Sequence, residues 1–410
     1  MKEIISSLDI GSSTVKLVVG EVYKNEVHVL AVSEVKSKGV KKGIIVNPEE
    51  AIISLKELFS RCEEILNIKI DKVLLTIPSY YAEFSVVEGQ IAVEGDEKVV
   101  NGNNLINVLT ACVYNKVPNN KEFVGIMPIE FVLDDSRKTK NPMGEHANKL
   151  KCKAIMSVAP KKNIYTAVSV LDALGVGIVD INFGGLADYY EFKTSDMDKG
   201  NTAVINIGDE KTEVSIIKKG ILIETENIEI GSKSIDRDIC YIYDIPRKRA
   251  RDLKEKFALA SKRNASTSWC EEVINNKKET IKISQYEISE IIYSRVREIL
   301  ELSKKQINLL TKLEISYIIF TGGTTELNDF NLVLDEVFNR DIELTHVKEM
   351  GCRHNKYSSA IGLIKYYHDK LAFRNRLAYT VTDEKQNELL NVKKSNSTIL
   401  GKIYGYFFNS

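Results

Sequence analysis

The pattern of strand, glycine turn and return strand occurs twice in this sequence, half a chain apart, and it constrains the fold more than any other feature. Residues 4–10 lead into the turn Gly11-Ser12-Ser13-Thr14 and a return strand over residues 15–20. Residues 202–207 lead into Gly208-Asp209-Glu210-Lys211 and out along residues 212–217. A repeat of this kind predicts a duplicated α/β domain with two related lobes.

The first turn carries side chains suited to a phosphate with its magnesium ion. A carboxylate ends the strand, a glycine lets backbone N–H groups approach the ligand, and three hydroxyls and a lysine follow. These residues are Asp9, Gly11, Ser12, Ser13, Thr14 and Lys16. A plain β-hairpin without a ligand is the alternative that this spacing leaves open.

A third glycine turn, Thr321-Gly322-Gly323-Thr324, follows the predicted strand 317–320. Its glycines would let a flat ring lie against the backbone. Thr324 or Thr325 is expected to cap a helix that begins near Glu326. Three such turns in this order indicate a nucleotide held between two lobes.

Composition predicts a cytoplasmic protein of two lobes or more. The chain has 410 residues, and its 57 basic and 57 acidic side chains give no indication of nucleic-acid binding. Charges precede any apolar stretch of signal-peptide length, and no run approaches the roughly 18 apolar residues of a spanning helix. Six scattered cysteines are interpreted as structural thiols, and the close pair Cys352 and His354 as structural rather than metal-binding.

The C-terminal residues are interpreted as a membrane anchor on a linker. Residues 380–397 are polar and predict a flexible linker, and residues 398–410 predict an amphipathic helix. Its apolar face consists of Ile399, Leu400, Ile403, Tyr404, Tyr406, Phe407 and Phe408. One such helix would bind lipid weakly and reversibly, whereas a row of them on a filament would bind collectively. A helix that docks on its own core is the alternative.

The order of the three turns resembles the actin, Hsp70 and sugar-kinase superfamily, and within it the chain is most similar to the FtsA family of bacterial actin-like cell-division proteins. The similarity runs nearly end to end. It is carried by residues 8–13, 39–43, 74–78, 229–231, 285–287, 294–296, 321–323 and 360–363.

This resemblance implies the duplicated ribonuclease H-like fold of that superfamily with an inserted α+β subdomain. The first lobe would be residues 1–81 and 161–193, and the second lobe residues 194–231 and 303–366. The inserted FtsA-specific subdomain would be residues 82–160, with strands over 123–132 and 152–158 and a helix near 104–114. A helix-rich subdomain over residues 232–302 would receive FtsZ, and residues 367–379 would form a return segment.

The resemblance also implies the residues of the nucleotide and partner sites. Asp9 would position Mg²⁺ through water, and the first-turn hydroxyls and Lys16 would hold the phosphates of ATP. The remaining nucleotide contacts would come from Gly208, Thr212, Lys254, Gly322 and Gly323. Arg295 matches a basic family position linked to the C-terminal peptide of FtsZ, and a solvated helix arginine is the alternative.

The second turn departs from the family pattern, which usually reads Asp-Ile-Gly-Gly-Gly-Thr. Here Asn206 replaces the metal-side carboxylate, and Asp209 and Glu210 replace two glycines. A tip carboxylate within about 4 Å of a phosphate would repel it by about 4 kcal/mol, unless Mg²⁺, Lys211 or an outward tilt relieved the repulsion. Arg251 also stands where the family has a ribose-contacting glutamate. Weakened ATP binding with little or no hydrolysis is therefore predicted.

The predicted function is to tether FtsZ filaments to the cytoplasmic face of the cell membrane at the division site. Self-association into filaments and recruitment of later division proteins are expected with it. Two alternatives share the fold, namely a type IV pilus assembly adaptor and an actin-fold ATPase or sugar kinase.

Overall fold

The computed structural model describes residues 3–95, 97–339, 342–382, 384–386 and 389. In these residues the strands are β1 Glu3–Ile10, β2 Thr14–Tyr23, β3 Glu26–Lys36, β4 Val40–Lys41, β5 Ile44–Ile45, β6 Lys72–Ile77, β7 Glu83–Ala92, β8 Lys121–Leu133, β9 Arg137–Thr139, β10 Lys149–Pro160, β11 Gly177–Phe183, β12 Asn201–Ile207, β13 Thr212–Lys218, β14 Ile221–Ile228, β15 Cys270–Ile274, β16 Thr280–Ser284 and β17 Tyr317–Thr321. The α-helices are α1 Pro48–Leu66, α2 Gly102–Val113, α3 Lys161–Ala173, α4 Gly184–Phe192, α5 Lys233–Tyr243, α6 Arg247–Phe257, α7 Gln285–Leu310, α8 Phe330–Phe338 and α9 Ser358–Ala372.

Two mixed sheets form the two lobes, and each is built around one glycine-tipped hairpin. The first sheet has the order β11-β6-β1-β2-β3, with β1 antiparallel to β2 and parallel to β6. The second has the order β14-β13-β12-β17, with β12 antiparallel to β13 and parallel to β17. Parallel neighbours end at the same edge of a sheet, so each hairpin tip lies beside the loop that follows its parallel partner. The predicted duplication is confirmed.

The central strands are apolar because helices cover both faces of the sheets. Eight consecutive residues of β2, from Val15 to Val22, are buried, a pattern typical of a strand covered on both sides. Helices α1 and α9 both pack on this sheet. Burial of one large side chain such as Leu17 stabilises the fold by about 1.5–3 kcal/mol, so these strands hold the hairpin rigidly.

Helices α4 and α9 cross unusually closely at Gly362. A Cβ atom on this glycine would lie 1.8 Å from the carbonyl oxygen of Ala187, so no larger residue fits. The contact brings Asp188 of α4 beside Ser358 and Ser359 at the start of α9. The glycine of the family-like stretch 360–363 therefore has a packing role that reaches the floor of the cleft.

The inserted subdomain is a four-stranded sheet of order β7-β10-β8-β9 with α2 packed on one face. Strand β10 alternates buried and half-buried residues along most of its length, as expected for a sheet with one covered face. Gly89 of β7 allows α2 to approach, since a Cβ atom there would lie 2.5 Å from the backbone nitrogen of Cys112.

Helices α5, α6 and α7 and the small hairpin β15-β16 form the helix-rich region. Ser284 caps α7, and Glu287 bonds back to its backbone N–H in a reciprocal capping box. The helix continues for 26 residues to Leu310, past the predicted subdomain boundary at residue 302.

The predicted flexible linker begins too early. Thr380 and Val381 are buried, the Thr380 N–H donates to the Ile4 carbonyl at 2.9 Å, and the Ser6 N–H donates to Thr380 Oγ1 at 2.7 Å. Leu389 is buried as well. The polar composition of this stretch concealed its docking on β1, because backbone groups and a few buried side chains make the contact.

Candidate functional site

The tip of the first hairpin holds a carboxylate that is already neutralised. Asp9 pairs with Lys16 across the hairpin, and Lys16 Nζ lies 2.8 Å from Asp9 Oδ2. Thr76 Oγ1 donates to Asp9 Oδ1 at 2.9 Å. Gly11 N–H donates to the Thr14 carbonyl at 3.2 Å and closes the turn. Both Asp9 oxygens are therefore engaged within the protein.

The second hairpin repeats this geometry position by position. Each residue lies 197 after its counterpart, so Asn206 corresponds to Asp9 and Glu213 to Lys16, and the two are again paired across the hairpin. Gly208 N–H donates to the Lys211 carbonyl at 3.0 Å and closes the turn as Gly11 does in the first hairpin. The backbone geometry is thus repeated, but the acid Asp9 and the base Lys16 of the first hairpin are replaced by the amide Asn206 and the acid Glu213 in the second.

The amide of Asn206 bonds to a buried carboxylate beneath the cleft. Its Nδ2 donates to Asp188 Oδ2 at 2.7 Å, and Asp188 Oδ1 accepts from the hydroxyls of Ser358 and Ser359 at 2.6 and 2.7 Å. Asp188 is fully buried, and this burial raises its pKa to about 6 despite the three donors. The carboxylate absent at position 206 is therefore found one hydrogen bond away, outside the cleft.

The two departures at Asp209 and Arg251 contact each other. Arg251 Nη2 lies 2.7 Å from Asp209 Oδ1, and its Nε lies 3.1 Å from Oδ2 of the buried Asp236. Lys254 Nζ lies 2.6 Å from the other oxygen of Asp236. Arg251 thus neutralises Asp209, so the two residues that depart from the expected family pattern compensate one another.

Glu210 is neutralised from both lobes. Its Oε2 accepts the backbone N–H of Lys42 at 2.7 Å, and its Oε1 pairs with the ammonium of Lys233. Burial alone would raise the Glu210 pKa, but these two donors outweigh burial and lower it. Lys211 does not neutralise the tip, because its Nζ lies 2.7 Å from Glu213 and 2.6 Å from Asn227 Oδ1.

Glu213 is a cleft residue that the sequence reasoning missed. Its Oε1 accepts the Gly185 N–H at 3.0 Å, and its Oε2 accepts the Ser79 hydroxyl at 2.8 Å. Burial favours the neutral acid, but Lys211 and these donors outweigh it and hold the Glu213 pKa below the ordinary value. Alignment of the two hairpins would have identified the residue, since it stands at the position of Lys16.

The Thr-Gly-Gly turn lies against the second hairpin. Gly322 has φ +94°, and a Cβ atom there would lie 2.5 Å from the Ile207 carbonyl oxygen. The predicted helix near Glu326 is wrong, since residues 323–326 form a 3₁₀ turn and α8 begins at Phe330. Neither threonine caps α8, which follows Asp329 and has no side-chain cap, and the buried Thr325 hydroxyl donates to the Gly322 carbonyl inside the turn.

These elements surround a cleft of about 490 Å³ between the lobes, a volume in the range of small-molecule sites. The predicted nucleotide residues that line it are Asp9, Gly11, Ser12, Ser13, Thr14, Lys16, Gly208, Lys254, Gly322 and Gly323. Thr212 does not line the cleft, because its buried hydroxyl donates to the Ile230 carbonyl at 2.8 Å.

Glu34, Lys356 and His354 form a wall of the cleft that no sequence motif indicated. Lys356 Nζ lies 2.5 Å from Glu34 Oε2. His354 Nδ1 accepts the Lys356 N–H at 3.1 Å, and burial lowers the pKa of the ring, so the ring is neutral at pH 7 with its proton on Nε2. His354 thus faces the Gly323 turn as a flat, uncharged ring.

The cleft fits a nucleotide better on one side than on the other. The first hairpin and the Gly323 turn, where a Cβ atom would meet only His354 at 3.9 Å, leave room for phosphate and a ring. The second hairpin presents carboxylates instead of glycine N–H groups. In the part of the chain that the structure describes, no group of three or more His, Cys, Asp or Glu side chains is arranged to hold a metal ion.

Arg295 lies outside this cleft, on α7. Its Nε and Nη2 lie 2.7 and 2.9 Å from the two oxygens of Asp238 on α5, a bidentate pair that joins the two helices. Its Nη1 also contacts Glu298 at 2.5 Å.

The predicted membrane face lies outside the described residues, from Ile399 and Leu400 through Ile403, Tyr404 and Tyr406 to Phe407 and Phe408. Among the residues that the structure does describe, no helix combines the length and apolar character needed to cross a membrane.

The fold and the two facing hairpins define an actin-fold protein. Similar solved structures are a chain of the PilM-PilN type IV pilus biogenesis complex (TM-score 0.59, 14% identity, covering 88% of this chain and 97% of that chain) and MreB5 of Spiroplasma citri bound to ADP (TM-score 0.55, 15% identity, covering 91% and 98%). At these identities the likeness concerns the fold alone.

Sequence comparison identifies the family within this fold. The family model described as Cell division protein FtsA matches residues 203–362, and the SHS2 domain inserted in FtsA matches residues 81–158. Proteins named Cell division protein FtsA align with 98% of this chain in Enterococcus faecalis (25% identity, 97% of the relative) and 89% in Bacillus subtilis (25% identity, 83% of the relative). The chain belongs to the FtsA family.

Proposed function

We propose that this chain is a cell-division protein that tethers FtsZ filaments to the cytoplasmic face of the cell membrane at the division site. The observation that carries the proposal is the nearly full-length likeness to Cell division protein FtsA of Enterococcus faecalis, which includes the inserted SHS2 domain. The inserted subdomain would recruit later division proteins, and copies of the chain would associate into filaments.

The cleft would bind an adenine nucleotide with Mg²⁺ and hydrolyse it slowly or not at all. Supporting this role are the glycine turns around the cleft and the fold shared with MreB5 of Spiroplasma citri, solved with ADP and with AMPPNP. The hydroxyls of Ser12 and Ser13 would contact phosphates, and Gly322 and Gly323 would lie against the adenosine. Asn206 offers no carboxylate to order an attacking water, which supports slow hydrolysis.

Two contacts would connect the filament to its surroundings. The helix-rich region with Arg295 would receive the C-terminal peptide of FtsZ, and residues 398–410 would bind lipid. A type IV pilus adaptor is the second candidate, favoured by the TM-score of 0.59 to a chain of the PilM-PilN complex. The matches to both FtsA family models favour the division role.

Cosedimentation with FtsZ filaments tests the division role. The protein is expected in the pellet with intact FtsZ and in the supernatant with FtsZ that lacks its C-terminal peptide. No cosedimentation with intact FtsZ would exclude the proposal and favour the pilus adaptor.

Three variants test the place of contact. Arg295→Ala is expected to weaken cosedimentation, whereas Arg297→Ala, on the same helix and paired with Glu301 at 2.9 Å, serves as the matched control. Asp238→Asn separates peptide binding from the ion pair between α5 and α7, since it removes the negative charge that pairs with Arg295 and keeps the arginine itself. Equal loss in Arg295→Ala and Asp238→Asn would show that Arg295 acts only by joining α5 to α7.

A further inference from the structure

The carboxylate of Glu210 lies between the two hairpin tips and lines the cleft in which the proposed nucleotide would place its phosphates. It accepts the N–H of Lys42 at 2.7 Å, and the next residue, Gly43, donates its N–H to Ser12 Oγ at 2.9 Å. Ser12 stands at the tip of the first hairpin. The second tip therefore reaches the first through one carboxylate and a two-residue turn of the opposite lobe.

These contacts are of the kind that a phosphate accepts. An anionic group accepts a backbone N–H from one lobe and pairs with an ammonium, Lys233, at the start of a helix in the other lobe. The helix itself is held against the tip, because the Lys233 N–H donates to the Asp209 carbonyl at 2.8 Å. Glu210 thus supplies the lobe-bridging negative charge from within the chain.

The remaining charges of the cleft give no surplus for an added polyanion. The cations that line it are Lys16, Lys211, Arg251, Lys254 and Lys356. Each has a carboxylate within 2.5–2.8 Å, namely Asp9, Glu213, Asp209, Asp236 and Glu34 in the same order. Six carboxylates line the cleft against these five cations. They are Glu210, Glu255 and all of the partners just named except Asp236. Every phosphate charge must therefore be balanced by Mg²⁺ or by the breaking of an ion pair.

We infer that the cleft takes a nucleoside diphosphate in preference to a triphosphate, because Glu210 already holds the Lys42 N–H and the Lys233 ammonium that a third phosphate between the hairpin tips would need. This inference rests on the proposed nucleotide binding. It also implies that the lobes stay bridged without a triphosphate, so the state of the nucleotide controls closure less than in an actin-fold protein with glycine at this position.

Isothermal titration of the full-length protein with MgADP and with the magnesium complex of a non-hydrolysable ATP analogue tests the inference. Wild type is expected to bind the diphosphate at least about tenfold more tightly, a difference of about 1.4 kcal/mol, because a third phosphate must either displace Glu210 from Lys233 and the Lys42 N–H or lie beside its carboxylate. Glu210→Gln is expected to bring the two affinities within about threefold. The glutamine can still accept the Lys42 N–H, so the bridge between the lobes is kept.

Glu255→Gln is the matched control, because it removes one carboxylate from the same cleft at an exposed position on α6. This variant is expected to strengthen the binding of both nucleotides alike and to leave the ratio of the two affinities at the wild-type value. If Glu210→Gln does not fold, Glu210→Ser, which copies Ser13 of the first hairpin, takes its place.

Three results would overturn the inference. Equal affinity of wild type for both nucleotides would do so, and so would an unchanged preference in the Glu210 variants, while nucleotide binding itself would stand. Binding of neither nucleotide by any variant would remove the proposed nucleotide site and this inference together.

Discussion

Restoring the family's carboxylate at position 206 should destabilise this protein. Asn206 Nδ2 lies 2.7 Å from Asp188 Oδ2, so Asn206→Asp would place two carboxylate groups about 4 Å apart, one fully buried and the other half-buried at the edge of the cleft. At an effective dielectric constant of 20 their repulsion is about 4 kcal/mol. We expect the free energy of unfolding at pH 7 to fall by about that amount, or one of the acids to remain protonated at a similar cost.

The exchanged pair, Asp188→Asn with Asn206→Asp, should recover most of this loss. The new amide at position 188 can donate to the new carboxylate at position 206, and its carbonyl oxygen can accept from Ser358 and Ser359. One carboxylate and every hydrogen bond are kept, so the double variant should lie within about 1 kcal/mol of wild type.

Urea unfolding followed by far-ultraviolet circular dichroism, for wild type, both single variants and the double variant, measures this coupling as a double-mutant cycle. The coupling energy should be several kcal/mol in favour of the exchanged pair. A double variant as unstable as Asn206→Asp, or a single variant as stable as wild type, would refute the reasoning that these two positions share one buried charge.

Three further predictions concern the buried Asp188, the Gly322 turn and the C-terminal residues. Because burial raises the Asp188 pKa to about 6, the folded state holds a proton between about pH 4 and 6 that the unfolded state releases. Relative to Asp188→Asn, wild type should gain about 2 kcal/mol in unfolding free energy from pH 7 to pH 4, and a constant difference would contradict the assignment. Gly322→Ala should lower the melting temperature and abolish nucleotide binding, because φ is +94° and the Cβ atom would lie 2.5 Å from a carbonyl oxygen. Gly95→Ala is the control, since its φ is +99° but no atom lies within 4 Å, and it should cost only the backbone strain of about 1–2 kcal/mol. Equal effects of the two variants would exclude the steric clash. Deletion of residues 398–410 should release the protein from anionic liposomes in flotation assays, and retention would refute the anchor.

The hairpins were predictable because their signals are local. Glycine at the tip and β-branched or apolar runs before and after it are visible in the sequence, and the spacing of 197 between Asp9 and Asn206 exposes the duplication. The same comparison predicts that position 206 lacks a carboxylate. It cannot show what the amide contacts instead.

The buried partners were not predictable, because tertiary packing brings them together. Asp188 follows no motif; the packing of α4 on β12 brings it to Asn206, and the close approach of α9 at Gly362 brings Ser358 and Ser359 to it. The pairing of Asp209 with Arg251 likewise joins residues 42 positions apart. Read singly from the sequence, each of these two residues indicates a damaged site, whereas the structure shows that they neutralise one another.

The predicted helix start near Glu326 and the predicted linker from residue 380 failed for a common reason. Hydroxyl and backbone groups found partners that composition does not reveal, with the Thr325 hydroxyl bonded within its own turn and the Thr380 backbone bonded to β1. Polar residues were taken as solvated or capping although they are buried and bonded.

Recruitment of fluorescent FtsZ to anionic liposomes by the full-length protein tests the central claim most directly. We predict that FtsZ filaments coat the liposomes only when the full chain and the FtsZ C-terminal peptide are both present, and that they stay in solution with the chain lacking residues 398–410. Liposomes that bind the full-length protein and yet leave intact FtsZ in solution would contradict the account.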